Sequence, residues 1–208
     1  MNRPQYEKYL KNTLTLEDGV LRSDAFDEDH IHIMSDGETQ IMKRSAEIVA
    51  YSGGKILNIG FGMGIIDGFI RDLKPKSHDI IEAHPGIVQY AHDLGFSETA
   101  QIHYGDWRDV IKEFKEQGIK FDGIYFDTII LDNGVNEWED FVKEFDSILN
   151  KGGTFSYFNN VAASQNPTLP QMIIDQGYDM YHEVIENKDP NVELFPGKRN
   201  VIIWYLKK

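Results

Sequence analysis

Strand patterns and helix patterns alternate along most of this chain, and their order restricts the fold more than any other feature. After about residue 40, each strand-like segment (55–60, 78–83, 99–106, 121–130, 154–159) is followed by a helical one (67–73, 86–94, 108–117, 138–150, 170–177). No helix separates the last two strand patterns, 178–186 and 200–207. Alternation predicts a parallel sheet covered by helices, and a closing pair without a crossover helix must be antiparallel. We therefore predict an α/β fold with a seven-stranded, mostly parallel sheet and an antiparallel final strand.

Composition narrows the classes of function. The 208 residues suit one domain and include no cysteine, which excludes disulfides, thiolate metal sites and a cysteine nucleophile, and we expect a cytoplasmic protein. No apolar run is long enough to span a membrane. The formal charge of -13 argues against a nucleic-acid partner and suits a cationic substrate, although solubility alone is its simplest explanation.

The first forty residues are polar and acidic, and their pattern is weak. We predict a helix near 4–12 and an irregular lid, so that residues 1–45 form a helix-and-lid segment and residues 46–208 the main domain. His30 and His32 could suggest a metal ion, but no third ligand stands at a suitable spacing. We expect a polar lid there and no metal.

A glycine-rich turn follows the first strand of the predicted sheet, in KILNIGFGMGII at residues 55–66. Gly60, Gly62 and Gly64 have no Cβ, so a ligand could contact the backbone beside the free N–H groups of the next helix. Such glycines also serve purely structural turns. Glu82 ends the second strand about twenty residues further on, where a carboxylate can accept hydrogen bonds from ribose hydroxyls. Together these features predict a pocket for an adenine nucleoside.

The choice of nucleoside cofactor rests on residue 65 and on the closing strands. A nicotinamide cofactor usually meets GxGxxG, whereas this chain has Ile65 at the last position. A seven-stranded sheet with an antiparallel final strand is the usual layout of Rossmann-like class I methyltransferases and favours S-adenosylmethionine. Asp106 and Trp107 could hold the adenine, although a core aromatic explains Trp107 equally well. A nicotinamide-dependent oxidoreductase is the weaker alternative.

Three motifs carry a more specific resemblance: LNIGFGMGIIDGFI, KPKSHDIIEAHP and FDGIYFDT. They resemble the fungal protein arginine δ-N-methyltransferases and are similar to guanidinoacetate N-methyltransferase. Upstream, LEDGVL and MSDGETQIM resemble the segment that closes over the site in that family. The similarity runs from about residue 9 to 160. The fungal members carry ankyrin repeats ahead of this domain, which these residues lack, so we expect no docking of a protein substrate through repeats.

The resemblance implies roles for particular residues. It places the two carboxylates of Glu38 and Asp127 on the guanidino group of the substrate, with Asp127 also at the cofactor. It assigns the remaining contacts with S-adenosylmethionine to the lid, the glycine turn and the ends of the next two strands: Met34, Met42, Gly60, Phe61, Gly62, Met63, Gly64, Ile65, Ile66, Glu82, Ala83, His84, Trp107 and Arg108. Without the resemblance, Asp127 would be a turn residue after a strand, and Glu38 an exposed charge of the lid.

Guanidino chemistry explains why two acids are wanted. A guanidinium is cationic at neutral pH, and its delocalised nitrogens are poor nucleophiles. Carboxylates can pair with its N–H groups and fix the approach of one nitrogen. A carboxylate can also take the proton that this nitrogen loses. The reaction needs no metal.

Departures from the family pattern bear on the substrate. Asn58 replaces an acidic residue common among methyltransferases, and the fungal subfamily tolerates that change. Ile129 and Ile130 stand where creatine-forming relatives have Tyr-Pro, and Val161 where they place a hydroxyl. We therefore expect an arginine substrate, free or within a peptide. The alternatives are guanidinoacetate or another small guanidino compound, or a catalytically silent protein that binds the cofactor and acts as an interaction module.

Overall fold

The computed structural model describes residues 3–24, 31–128, 135–158, 174–175, 177–186 and 200–207. Two sheets form in these ranges, one of three strands and one of seven. The strands are β1 Leu14–Glu17, β2 Val20–Ser23, β3 Ile31–Ser35, β4 Lys55–Ile59, β5 Ser77–Glu82, β6 Gln101–Tyr104, β7 Phe121–Phe126, β8 Leu149–Tyr157, β9 Asp179–Glu186 and β10 Asn200–Lys207. The α-helices are α1 Arg3–Lys11, α2 Thr39–Val49, α3 Ile65–Asp72, α4 Pro85–Asp93, α5 Trp107–Gln117 and α6 Val135–Ile148.

The large sheet has the strand order β6-β5-β4-β7-β8-β10-β9. Its first five strands are parallel, and β10 is antiparallel to both of its neighbours, β8 and β9. This order confirms the α/β prediction and the antiparallel final strand. Because the carboxyl ends of β5, β4 and β7 lie side by side, the loops that follow them meet at one edge of the sheet.

An aromatic cluster between the large sheet and helices α5 and α6 forms the largest part of the core. Phe126 on β7 stacks on Phe141 of α6 with ring centroids 3.9 Å apart, and Phe145 stacks on Phe155 of β8 at 4.5 Å. Each buried aromatic ring removes a large apolar area from water. The cluster therefore fixes β7, whose last residue precedes Asp127, firmly in the sheet.

The N-terminal segment is more regular than the sequence indicated. The helix predicted near 4–12 is present as α1, but the segment predicted to be irregular forms an antiparallel sheet of β1, β2 and β3. Its strands are only four or five residues long, too short to give a clear alternating pattern. A 3-10 turn, Asp36–Glu38, then leads directly into α2.

Most predicted element bounds differ from the structure by one or two residues. The larger differences are in the fourth sheet strand, which ends at Phe126, the helix after it, which begins at Val135, and the fifth strand, which begins at Leu149. Within the predicted elements, residues 129–130, 159, 170–173 and 176 lie outside the described residues. Among the helices described, none combines the length and apolar character needed to cross a membrane.

Candidate active site

The glycine turn brings β4 into close contact with the end of β7. Gly60 has a φ of +94°, and a Cβ built on it would lie 1.8 Å from the backbone oxygen of Asp127. Any larger residue at this position would therefore displace one of the two segments. The Asp127 N–H also donates to the Ile59 oxygen at 2.9 Å. Glycine is thus required at residue 60 by the close approach of the two backbones, and this approach places Asp127 against the turn.

Glu82 at the end of β5 is buried and faces the same turn. One carboxylate oxygen accepts from the Phe61 N–H at 2.9 Å, and the other accepts from the His84 N–H at 2.7 Å. Burial raises the pKa of Glu82, and backbone N–H groups of His84, Phe61, Ala83 and Gly62 partly offset that rise. The carboxylate is therefore held rigidly between the turn and the start of α4.

Helix α1 covers this carboxylate, which sequence analysis did not anticipate. Tyr9 is buried with its ring centroid 4.9 Å from that of His84, and the His84 Nε2–H donates to the Asn12 oxygen at 3.1 Å. The Tyr6 hydroxyl hydrogen-bonds Asp106; burial first, and then the charge of Asp106, raises the pKa of Tyr6. The aromatic pair three residues apart in QYEKYL was the only available signal, and it is not specific.

Trp107 lies mainly in the core. It is 5% exposed as the first residue of α5, and its ring contacts Phe126 edge-on at 5.6 Å. The indole N–H is nevertheless buried without a hydrogen-bond partner among the described residues. Arg108 stacks over the Trp107 ring at 4.3 Å and pairs with Asp106 at 3.3 Å. The ring therefore serves the core, while its N–H stays open to a further partner.

The two lid methionines occupy different environments. Met34 on β3 lies over the glycine turn, where its sulfur accepts from the Met63 N–H at 3.3 Å. A Cβ on Gly62 would come within 3.0 Å of that sulfur. Met42 on α2 is fully buried, and the Tyr125 hydroxyl lies 3.8 Å from its sulfur. Met34 therefore touches the turn directly, whereas Met42 packs one layer behind it.

Two members of the turn segment, Phe61 and Ile66, have buried side chains. The Phe61 ring is buried and packs edge-on against Phe96 at 5.1 Å. Ile66 is buried in the core under α2, where Ile65 and Met63 are partly buried. The side chains of Phe61 and Ile66 are taken up by core packing, so a ligand at the turn would meet mainly their main-chain groups.

Glu38 is buried, at 3% exposure, so its interpretation as an exposed lid charge is wrong. One of its carboxylate oxygens accepts from the Ser35 N–H at 2.8 Å, which closes the 3-10 turn ahead of α2. His32 Nε2 lies 3.4 Å from the same oxygen. The turn thereby directs this acid inward at the start of α2.

Asp127 directly follows the last residue of β7, close enough to Glu38 for the two carboxylates to interact electrostatically. Burial raises the pKa of Asp127 well above its ordinary value, and the negative charge of Glu38 raises it further. Tyr125, two residues earlier on the same face of β7, also has a raised pKa, caused by burial, then by Asp127, with Glu38 contributing. Two acids that repel each other, one buried and one half-buried, form a site suited to a cation.

The structure brings the glycine turn, Glu82, Met34, Glu38 and Asp127 to one edge of the large sheet. Ile129, Ile130, Val161 and His30 lie outside the described residues. In the described part of the chain, no three His, Asp or Glu side chains are grouped closely enough to hold a metal ion.

The strand order, the glycine turn after β4 and the carboxylate at the end of β5 define a class I methyltransferase fold. Solved structures agree: an O-methyltransferase from Bacillus cereus in complex with SAH has a TM-score of 0.61 at 14% identity, covering 81% of each chain. The O-methyltransferase TomG from Streptomyces achromogenes, in complex with SAM, has a TM-score of 0.57 at 12% identity, covering 84% of this chain and 91% of that one. At these identities the likeness concerns the fold alone.

The family follows from sequence comparison. The guanidinoacetate N-methyltransferase family model matches residues 26–183, so the chain belongs to that family. It is 36% identical over 182 residues to protein arginine N-methyltransferase 2 of Aspergillus oryzae and 34% identical over 189 residues to the Saccharomyces cerevisiae protein of that name. These matches cover 86% of this chain but only 41% and 42% of the relatives. The resemblance drawn from the motifs is confirmed.

Proposed function

We propose that this chain is an S-adenosylmethionine-dependent N-methyltransferase that acts on a guanidino group, most naturally that of an arginine. The observation that carries the proposal is the pair of acids beside the glycine turn, a buried Glu38 and a half-buried Asp127. The names of the relatives support the same chemistry. Because the chain spans about two fifths of the length of those relatives, its activity and substrate are assigned here on the site itself.

The residues at the sheet edge fit S-adenosylmethionine. Glu82 offers a fixed carboxylate for two ribose hydroxyls, and Trp107 offers a buried N–H that lacks a partner among the described residues. The turn around Gly62 presents backbone rather than side chain, and Met34 lies against it. When bound, the cofactor supplies an activated methyl group on a sulfonium, which a nitrogen nucleophile can take.

Glu38 and Asp127 would hold and deprotonate the substrate. A guanidinium between them forms charge-assisted hydrogen bonds, and its positive charge relieves their mutual repulsion. One N–C bond forms, the S–C bond breaks, and one proton leaves the attacking nitrogen. A raised pKa makes Asp127 a stronger proton acceptor than an ordinary aspartate, so we assign Asp127 as the base and Glu38 as the anchor.

Transfer of a labelled methyl group tests the proposal directly. The purified chain is incubated with methyl-labelled S-adenosylmethionine and, separately, arginine, agmatine, guanidinoacetate and an arginine-rich peptide. We expect label in arginine or in the peptide, and mass spectrometry of the product then identifies the methylated nitrogen. Label only in guanidinoacetate would replace the arginine assignment. Cofactor binding without transfer to any of the four would favour a catalytically silent binding module.

Calorimetry distinguishes a methyltransferase from the alternative, a nicotinamide-dependent oxidoreductase. We expect heat of binding with S-adenosylhomocysteine and none with NAD.

The cytoplasmic location and the lack of a nucleic-acid or membrane partner, predicted from composition, stay predictions. So do the division at residue 45 and the individual roles of the site residues.

A further inference from the structure

A buried polar network lies behind the glycine turn, away from the proposed substrate. Asn58 on β4, Asp67 on α3 and His78 on β5 are at most 4% exposed. The Asn58 side-chain NH₂ group donates to the Asp67 carboxylate, whose two oxygens lie at 3.0 and 2.9 Å, and to the Gly60 backbone oxygen at 2.9 Å. His78 Nε2 lies 2.9 Å from Asp67 Oδ1, an electrostatic contact rather than an aligned hydrogen bond.

A buried carboxylate is costly, so its place in the fold needs a reason. Removing a charge from water without compensation destabilises a protein by several kcal/mol. Here the compensation comes from one amide, one imidazole and the first turn of α3, where a negative charge is favoured. An apolar trio would fill the same space without that cost. The presence of a polar network at this position therefore indicates a role beyond filling the core.

The role of the network follows from Gly60, the residue on which its hydrogen bonds end. The Gly60 N–H donates to the Ile81 oxygen of β5 at 2.9 Å, and the Gly60 oxygen accepts from Asn58. Both backbone groups of this residue are thus fixed, one by the neighbouring strand and one by the network. Asp67 orients the Asn58 amide, and His78 lies against Asp67 from β5, the strand that ends in Glu82.

We propose that Asn58, Asp67 and His78 are positioning residues that fix the Gly60 carbonyl and the start of α3 in the conformation that binds the cofactor. The inference rests on the proposed function, since it takes the glycine turn to be the cofactor site. It assigns the network to cofactor affinity rather than to the chemical step, because its side-chain contacts in the described part of the chain are with one another and with the Gly60 oxygen.

Asp67→Asn and Asn58→Asp test the network by calorimetry with S-adenosylhomocysteine. Asp67→Asn removes the charge at constant shape, and Asn58→Asp turns the donor facing Gly60 into an acceptor. For each we expect Kd to rise on the order of tenfold, the scale seen when residues that orient a ligand site are altered. We expect kcat at saturating cofactor to fall by no more than about twofold. His78→Gln, which keeps a donor, should bind more tightly than His78→Leu.

A matched control exists on the same strand. Asp79 and His103 form a second acid–imidazole contact, 2.8 Å long, which does not touch the turn. Asp79→Asn should leave the cofactor Kd unchanged. If Asp67→Asn folds and binds within twofold of the wild type, the inference is overturned. If the wild type itself binds no S-adenosylhomocysteine, the proposed function is overturned and the inference with it.

The unmodified protein supplies a measurement that does not depend on the folding of a variant. In nuclear magnetic resonance spectra, the side-chain amide protons of Asn58 should exchange slowly with solvent and shift when S-adenosylhomocysteine is added. Fast exchange, or no shift at saturation, would contradict a network that is coupled to the turn.

Discussion

Each half of the site holds an acid, and the surroundings of the two acids differ. Glu82, in the proposed cofactor half, accepts backbone N–H groups on both of its oxygens. Asp127, in the proposed substrate half, has a second carboxylate for a neighbour, and that charge adds to the effect of burial on its pKa. The difference indicates that the cofactor half is assembled before any ligand arrives, whereas the substrate half is destabilised until a cation enters.

Asp127→Asn should have the largest effect, and it acts on the substrate half alone. Losing a positioned base typically costs 10²–10⁴-fold in rate, so we expect kcat to fall by about that factor. The cofactor Kd, measured by calorimetry, should stay within about twofold. Asp72→Asn, an exposed residue of α3, is the control. Wild-type turnover in Asp127→Asn would remove Asp127 from the reaction.

Glu82→Gln should break the cofactor half. The amide would place an NH₂ group against a backbone N–H, leaving buried donors unpaired at a cost of about 1–3 kcal/mol. We expect the cofactor Kd to rise roughly 10- to 100-fold with a smaller change in the KM of the guanidino substrate. Glu113→Gln, an exposed position on α5, provides the control. Equal losses for both ligands would show that the two halves are not separate.

The pH dependence of kcat/KM tests whether Asp127 and Glu38 interact in the substrate half. Below its raised pKa, Asp127 is protonated and can neither accept a proton nor pair with a cation, so kcat/KM should fall in acid. The midpoint should lie above the ordinary aspartate value of about 3.9. Glu38→Gln removes the neighbouring charge, and its midpoint should therefore be lower than that of the wild type, although burial still holds it up. An unchanged midpoint would show that the two carboxylates do not interact.

The smallest effect concerns stability. The pKa of Asp127 is higher in the folded than in the unfolded protein, so the cost of its charge is absent below the unfolded pKa and grows as pH rises through the folded one. At neutral pH, Asp127→Asn should therefore raise the free energy of unfolding, by up to about 2 kcal/mol. Denaturant titrations at pH 7 and in acid would show the gain shrinking in acid. A loss of stability at pH 7 would mean that the substrate half is not destabilised.

The sequence predicted the large sheet well because its signals are local. Each strand of the parallel part is a short apolar run followed by an amphipathic helix, and Glu82 stands at a strand end that the pattern locates. The burial of Glu38 was not predictable in this way, since it depends on Ser35 and on contacts across the lid. The contact of Asp67 with His78 joins residues from different elements, and no local pattern contains it.

The missing Cβ of Gly60 has a consequence for how such a domain can change over time. The backbone of residue 127 occupies the position that a Cβ of residue 60 would take, so the glycine turn and the end of β7 are in direct contact. A side chain gained at residue 60 would therefore displace the backbone of Asp127 or the turn itself. We therefore expect descendants of this domain to keep glycine at residue 60 and to change specificity through side chains elsewhere in the site.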